Sequence, residues 1–305
     1  MTHAFVYMSD RKKYAIIDIG SNSIRCLFQG AADKCGVTTR LGTGLSQTGK
    51  LDNAHAKQSA FVVAEFAKTA RRSGFIPLAY ATSAVRDAQN RDEFLQLVKL
   101  LSGIDVDVIS GEAEAGYAYR AAAKDGGGLI DIGGASMQFS SETFKKSFPA
   151  GCVRGRDIAL ELTGKYDCDD GFSVQREALR GYLEPLVAPY LDAIRASRFT
   201  PLVGVGGSIT ALVSLSYDIT LFDKRLAHGK TMTYDALQNL IKTLIDMSSA
   251  RIAHPVMKKR HDVILYGAIL LEFAMELLGA NEITSSIVDG LDGYLDAAIN
   301  GELDR

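Results

Sequence analysis

Apolar and polar positions change period along this chain in a way that predicts alternating strands and helices. Residues 14–28 and 37–41 are rich in β-branched and aliphatic side chains around polar turns, and they read as strands near the start of the core at Lys13. Residues 53–72 switch to helical spacing, with Ala56, Ala60, Phe61, Ala64 and Phe66 on one broad apolar face and Gly74 as the stop. A strand at 77–81 follows. Asn90 with Glu93 three residues later has the spacing of a capping box and opens a second helix. After a strand at 106–109, the run GEAEAGYAYRAAAK predicts a helix on the strength of its alanines, despite Gly116.

The triplet Gly126–Gly128 is the clearest break, because glycine relaxes the local backbone. We therefore expect an α/β chain of two domains, 13–125 and 126–305, with a C-terminal helix over 287–299 packing back on the first. The second part predicts strands through Ser140, helices at 156–163 and 174–195, a strand and turn at VGVGG, and helices at 234–247, 262–278 and 287–298. The helix at 262–278 is the most apolar, but Glu272 and Glu276 interrupt it, so it reads as a packed helix rather than a membrane span.

Composition narrows the function classes. The chain has 305 residues, 47% apolar and 23% charged, enough for two cores and too large for a disulfide-stapled module. Its 34 basic and 36 acidic residues leave a net charge of −2, which argues against a broad nucleic-acid footprint. Cys26, Cys35, Cys152 and Cys168 form no CxxC pair or zinc-like quartet, and the five histidines form no HExxH. The start MTHAFVYMSDRKK has no secretory pattern. Reduced thiols, a cytoplasmic location and no membrane partner are the expectations.

An internal echo carries the chemistry. AIIDIGSNSIRCLF and GLIDIGGASMQFS place Asp18 and Asp131 at equivalent points, 113 residues apart, each between a strand and a tight turn that leads to a returning strand. Such turns hold main-chain amides around phosphate, and two strand ends facing one cleft would let Asp18 and Asp131 hold Mg²⁺. Ser21, Asn22 and Ser23 decorate the first turn and Gly133, Gly134 and Ser136 the second; ordinary turn capping is the rival reading. Gly206, Gly207 and Ser208 form a third glycine turn before a helix whose free amides favour an anion. Arg86 could neutralise phosphate charge, and Glu114 could deprotonate water; each has an ordinary ion-pair or surface alternative. Arg40, Arg154 and Lys230 are further loop cations, expected at the surface. No GxSxG elbow or GxxxxGK[ST] loop is present, which favours direct water attack over a covalent intermediate.

Taken in order, IDIGSNSIR, RLGTGL, ATSAVRDA, ISGEAEAG, LIDIGGAS, AGCVR and VGVGGS resemble the exopolyphosphatase and guanosine pentaphosphate phosphatase family from Tyr14 almost to the C-terminus. The resemblance implies two actin-like, ribonuclease-H-like domains enclosing a phosphate cleft. It also implies Asp18 and Asp131 as acidic phosphate-loop residues, Arg86 as the phosphate contact and Glu114, rather than Glu112, as the base. It maps the phosphate loops onto Gly20, Ser21, Asn22, Ser23, Gly133, Gly134, Ser136, Gly206, Gly207 and Ser208. Mg²⁺, with Mn²⁺ as the alternative, is the implied cofactor, inorganic polyphosphate or guanosine pentaphosphate the substrate, and a homodimer the implied assembly.

The chain departs from that pattern at Gln138, where the usual sequence GSTE supplies a glutamate. An amide can offer a metal one oxygen but lacks the negative charge. The chain is also too short for the extra helical domains of longer members. The expected activity is exopolyphosphatase, ahead of guanosine pentaphosphate hydrolysis, a binding-only polyphosphate or nucleotide sensor, and an actin-like small-molecule kinase.

Overall fold

The fold is taken from a computed structural model, which describes residues 12–123, 126–164, 172–221 and 223–303. Strands β1 (Tyr14–Ile19), β2 (Ser23–Phe28) and β3 (Cys35–Thr38) form an antiparallel meander. After the short α1 (Leu45–Thr48), helix α2 (Asn53–Arg72) returns the chain to β4 (Ile76–Ala81), parallel to β1. Helices α3 (Ser83–Asp87) and α4 (Arg91–Ser102) lead to β5 (Val106–Val108), giving the order β3-β2-β1-β4-β5.

Helix α5 (Gly111–Ala122) then leads to the second sheet: β6 (Gly128–Ile132), β7 (Met137–Ser141) and β8 (Lys145–Phe148) form another antiparallel meander, and β9 (Leu202–Val205) lies parallel to β6. Between β8 and β9 lie α6 (Cys152–Thr163), α7 (Phe172–Val187) and α8 (Leu191–Ala196). The chain continues through α9 (Gly207–Ser216), β10 (Thr231–Thr233), α10 (Tyr234–Met247), α11 (Ile264–Leu278), β11 (Glu282–Ser285) and α12 (Gly290–Asn300). The second sheet, β10-β11-β9-β6-β7-β8, repeats the first topology with one strand added at an edge. The echo read in the sequence is thus a repeated sheet.

Local chemistry explains where several elements begin and end. Asp52 caps α2, its side chain accepting the Ala54 and His55 amides at 3.0 Å. On that helix Ala56 and Ala60 are buried as expected, but Phe61 is 59% exposed and Val63, Ala67 and Ala70 complete the buried face. The capping box at Asn90 does not form: its amide is engaged by Leu51, accepting the Leu51 amide at 2.8 Å and donating to its carbonyl at 3.0 Å. The helix expected at 174–195 is divided, because Pro189 cannot donate a helical hydrogen bond and the chain tightens into a 3₁₀ turn at Ala188–Tyr190. Glu272 and Glu276 on α11 are answered by α7: Arg176 donates twice to Glu272 at 2.6 Å, and Arg180 once to Glu276 at 2.6 Å. Cys26, Cys35 and Cys152 are free, and Cys168 lies outside the described residues.

The packing exchanges helices between the lobes. One face of the first sheet packs with α2 and α4 around Ile17, Ile24, Val63 and Phe94, whereas the other receives Leu291, Tyr294 and Leu295 of α12 against Ile16 and Tyr80. Helix α5, by contrast, lays Ala118 on Leu129 and Val205 of the second sheet. The two exchanged helices meet each other: a Cβ on Gly293 of α12 would fall 2.0 Å from the Tyr117 carbonyl oxygen of α5. Both hairpin turns therefore meet where the two lobes join.

Candidate active site

The site is assembled where the two hairpin turns touch. A Cβ on Gly134 would lie 3.3 Å from Ser21 Cβ and 3.5 Å from the Asn22 amide nitrogen, so the second turn rests directly on the first. Each turn is closed by the same bond: the Gly20 amide donates to the Ser23 carbonyl at 3.2 Å and the Gly133 amide to the Ser136 carbonyl at 3.0 Å. Ser23 starts β2, its hydroxyl 3.4 Å from Thr38 Oγ1, while the Asn22 carbonyl accepts the Thr39 and Arg40 amides. Ser21 and Ser136 are buried on either side of Ser83, a residue the sequence reading passed over; their Oγ atoms lie 3.2 and 3.4 Å from its Oγ.

The third turn abuts the second. Gly206 has φ 96°, and a Cβ there would sit 2.6 Å from the Ile132 carbonyl and 2.9 Å from Asp131 Oδ1. Gly207 opens α9 with the Arg260 guanidinium packed against it, 2.4 Å from where a Cβ would be. The Ser208 side chain points the other way, into α11 beside Gly267, so only its backbone belongs to the turn.

The carboxylates have unequal surroundings. Asp18 Oδ2 accepts Arg25 Nε at 2.8 Å, while Asp18 Oδ1 is buried without a hydrogen bond. Arg25 also binds Asp289 at 2.5 Å, and Lys34 holds Asp289 at 2.9 Å and Asp292 at 2.5 Å, anchoring the first hairpin to the start of α12. Burial raises the Asp18 pKa and Arg25 opposes that rise. Asp131 is pushed up to about 7 by burial and then by the charges of Asp289 and Asp18, against the pull of Arg25 and Lys34. Glu114, in the first turn of α5, is pushed up to about 8 by burial and then by Asp131 and Asp18. Its Oε2 is buried without a hydrogen bond, 3.8 Å from Arg86 Nη1. Glu112 pairs with Lys146 at 3.0 Å and lines the cleft beside Arg86.

Arg86 is aimed by a 3.0 Å bond from Nη1 to the Ile109 carbonyl. It lines an open cleft of about 190 Å³ with Ser83, Asp87, Gly111, Ser136 and Arg154. Arg154, expected at the surface, is only 12% exposed and spans the cleft to Asp87. Arg40 is exposed as anticipated, and Lys230 lies over the Tyr217 ring at 4.3 Å. Gln138 is buried beside Asp131, its cross-strand partner, and donates its amide to Ser136 Oγ at 3.0 Å.

This donor set fits a hard cation. Buried carboxylate oxygens without hydrogen bonds, on groups that raise one another's pKa, are what a divalent ion would satisfy. Among the described residues no three acidic, histidine or cysteine side chains converge into a metal-binding group. An ion here would therefore complete its shell with phosphate and water, as Mg²⁺ commonly does.

A repeated α/β sheet with an acidic glycine turn in each lobe, the two turns in contact, defines the class as a two-domain actin-like protein. The Ppx/GppA phosphatase family profile matches residues 16–293, and the chain belongs to that family. It is 29% identical to exopolyphosphatase 2 of Mycobacterium tuberculosis over 92% of this chain and 97% of that protein. To exopolyphosphatase 1 of the same organism it is 28% identical, over 87% of this chain and 82% of the relative. A guanosine-5'-triphosphate,3'-diphosphate pyrophosphatase of Photobacterium profundum is 29% identical over 74% of this chain but only 49% of its own length. Among solved structures, the Aquifex aeolicus Ppx/GppA family member superposes with a TM-score of 0.73 at 26% identity, covering 96% of this chain and 99% of that one.

Proposed function

We propose that the protein is an exopolyphosphatase, releasing the terminal phosphate of inorganic polyphosphate by direct attack of water. The carrying observation is the contact of the two acidic turns, with Glu114 and Arg86 beside them. The two M. tuberculosis exopolyphosphatases are matched over most of their own length, which favours polyphosphate over guanosine pentaphosphate as the substrate.

In this reading the amides of Gly20–Ser23, Gly133–Ser136 and Gly206–Ser208 receive the terminal phosphate oxygens, and Arg86 neutralises charge that builds during transfer. Glu114 takes a proton from the attacking water as the new P–O bond forms; the bridging P–O bond breaks, and the shortened chain leaves as the anion. Asp131 and the free oxygen of Asp18 would hold Mg²⁺ or Mn²⁺, which supplies charge neutralisation at the phosphate. Gln138, whose amide nitrogen is committed to Ser136, has only its neutral carbonyl oxygen to offer such an ion. The proposal includes two domains, 13–125 and 126–305, with residues 287–299 returned to the first, a cytoplasmic location and a homodimer.

The test supplies defined-length polyphosphate, guanosine pentaphosphate, ATP and pyrophosphate to the purified protein with Mg²⁺ or Mn²⁺ and resolves the products. Shortening of polyphosphate one unit at a time is expected. Binding without products would replace the proposal with a sensor, and a requirement for an acceptor would replace it with a kinase. Glu114→Gln should lower kcat by about 10²–10⁴-fold without unfolding; wild-type turnover would remove Glu114 as the base.

A further inference from the structure

The cleft holds a carboxylate that the hydrolysis does not use. Asp87, at the end of α3, is shared by two arginines: Oδ1 lies 3.6 Å from Arg86 Nε, and Oδ2 accepts Arg154 Nη2 at 2.9 Å. All three residues line the cleft. Arg86 and Asp87 stand on the first lobe and Arg154 on the second, so the ion pair crosses between them. Arg86 also lies 3.8 Å from Glu114 Oε2, so it is shared between two carboxylates, whereas Arg154 is answered by Asp87.

Arg154 is placed by the second phosphate turn itself. The first amides of α6 are bound there: Cys152 donates to the Gly133 carbonyl at 2.9 Å, and Val153 and Arg154 donate to the Gly134 carbonyl at 2.8 and 3.0 Å. Gly151 comes so close that a Cβ would fall 2.4 Å from the Gly134 carbonyl carbon. The Arg154 backbone therefore keeps a set position relative to the turn that would receive the terminal phosphate. Its guanidinium is the only part that must move to change partner.

A carboxylate between two guanidiniums presents each with an anionic oxygen, as a phosphate does. The geometry points to a second phosphate subsite formed by Arg86 and Arg154, which Asp87 fills in the free protein. When polyphosphate enters, the phosphate next to the terminal one takes the Arg154 contact. Asp87 turns outward, where its side chain is already 35% exposed. Arg154 thereby selects ligands with linked phosphates, and Asp87 competes with them from within the chain. The inference rests on the polyphosphate reading of the same cleft.

The test measures tripolyphosphate and inorganic phosphate binding by calorimetry, without metal and at fixed ionic strength, for the wild type, Arg154→Ala and Asp87→Asn, with thermal unfolding of each. Both substitutions break the same ion pair, so a purely structural bridge moves binding in the same direction in both. The subsite predicts opposite signs: Arg154→Ala weakens tripolyphosphate binding by about tenfold or more, and Asp87→Asn strengthens it several-fold. Inorganic phosphate, which fills the terminal site alone, should change by less than about threefold in either variant. Shifts of one sign, equal effects on both ligands, or no tripolyphosphate binding by the wild type would overturn the subsite. Opposite shifts in a protein that releases no phosphate with Mg²⁺ or Mn²⁺ would keep the subsite and remove the hydrolase reading; phosphate release with shifts of one sign would do the reverse.

Discussion

The hairpins β1–β2 and β6–β7 each place an aspartate opposite the residue seven positions later, Asp18 across from Arg25 and Asp131 across from Gln138. In the first, the partner is a cation that ties Asp18 to Asp289 and so to α12. In the second, it is a neutral amide turned toward Ser136, and Asp131 is left to rise to about 7. Equivalent positions thus differ in their partners: the first acid is half committed to holding α12 on the first sheet, and the second has no cation across the strand. Backbone repetition preserves the turn, while the cross-strand side chain sets how much of its carboxylate is engaged: one oxygen of Asp18 is held by Arg25 and the other is left without a hydrogen bond.

Arg25→Ala tests that difference most severely. It would strand Asp18 and Asp289, both buried, and should cost about 2–4 kcal/mol of stability by urea unfolding. A loss no greater than that of Gln138→Ala would erase the distinction between the hairpins.

The pH dependence of the metal-free protein sharpens it next. Glu114 rises from 4.5 to about 8 and Asp131 from 3.8 to about 7, so the folded state holds both protons more tightly than the unfolded chain does. Their stabilising effect is complete below the unfolded values and is lost as pH rises through the folded ones. Unfolding free energy should therefore fall with rising pH between pH 4.5 and 8, and Glu114→Gln should flatten the fall. A profile rising over that window, with no change on substitution, would contradict the assignment. Gln138→Ala, which deletes one buried hydrogen bond to Ser136, should cost about 1 kcal/mol, the smallest of the three effects.

Much of the fold was legible because its signals are local. Helical periodicity returned the limits of α2 and α10, and the DIG echo predicted two hairpins that the sheets contain. The short strands β8, β10 and β11 escaped, since three or four residues carry little alternation and β8 bears Lys145 and Lys146 at a sheet edge. Asn90 had the spacing of a cap, but a partner 39 positions away claimed its side chain. At the site, the turn residues, Arg86 and Glu114 stand within recognisable motifs. Ser83 lay inside ATSAVRDA and could have been read as a small hydroxyl beside the turns. Arg25 and Asp289 are 264 positions apart, and nothing local signals their pairing. Arg154 looked like a loop cation because its partner belongs to the other lobe.

Mn²⁺ binding to the free protein at pH 8, read by electron paramagnetic resonance, tests most directly whether the two acidic turns share one cation. One ion per chain is expected, with binding weakened about tenfold or more by Asp131→Asn and to a lesser degree by Asp18→Asn. Unchanged affinity in Asp131→Asn would contradict it.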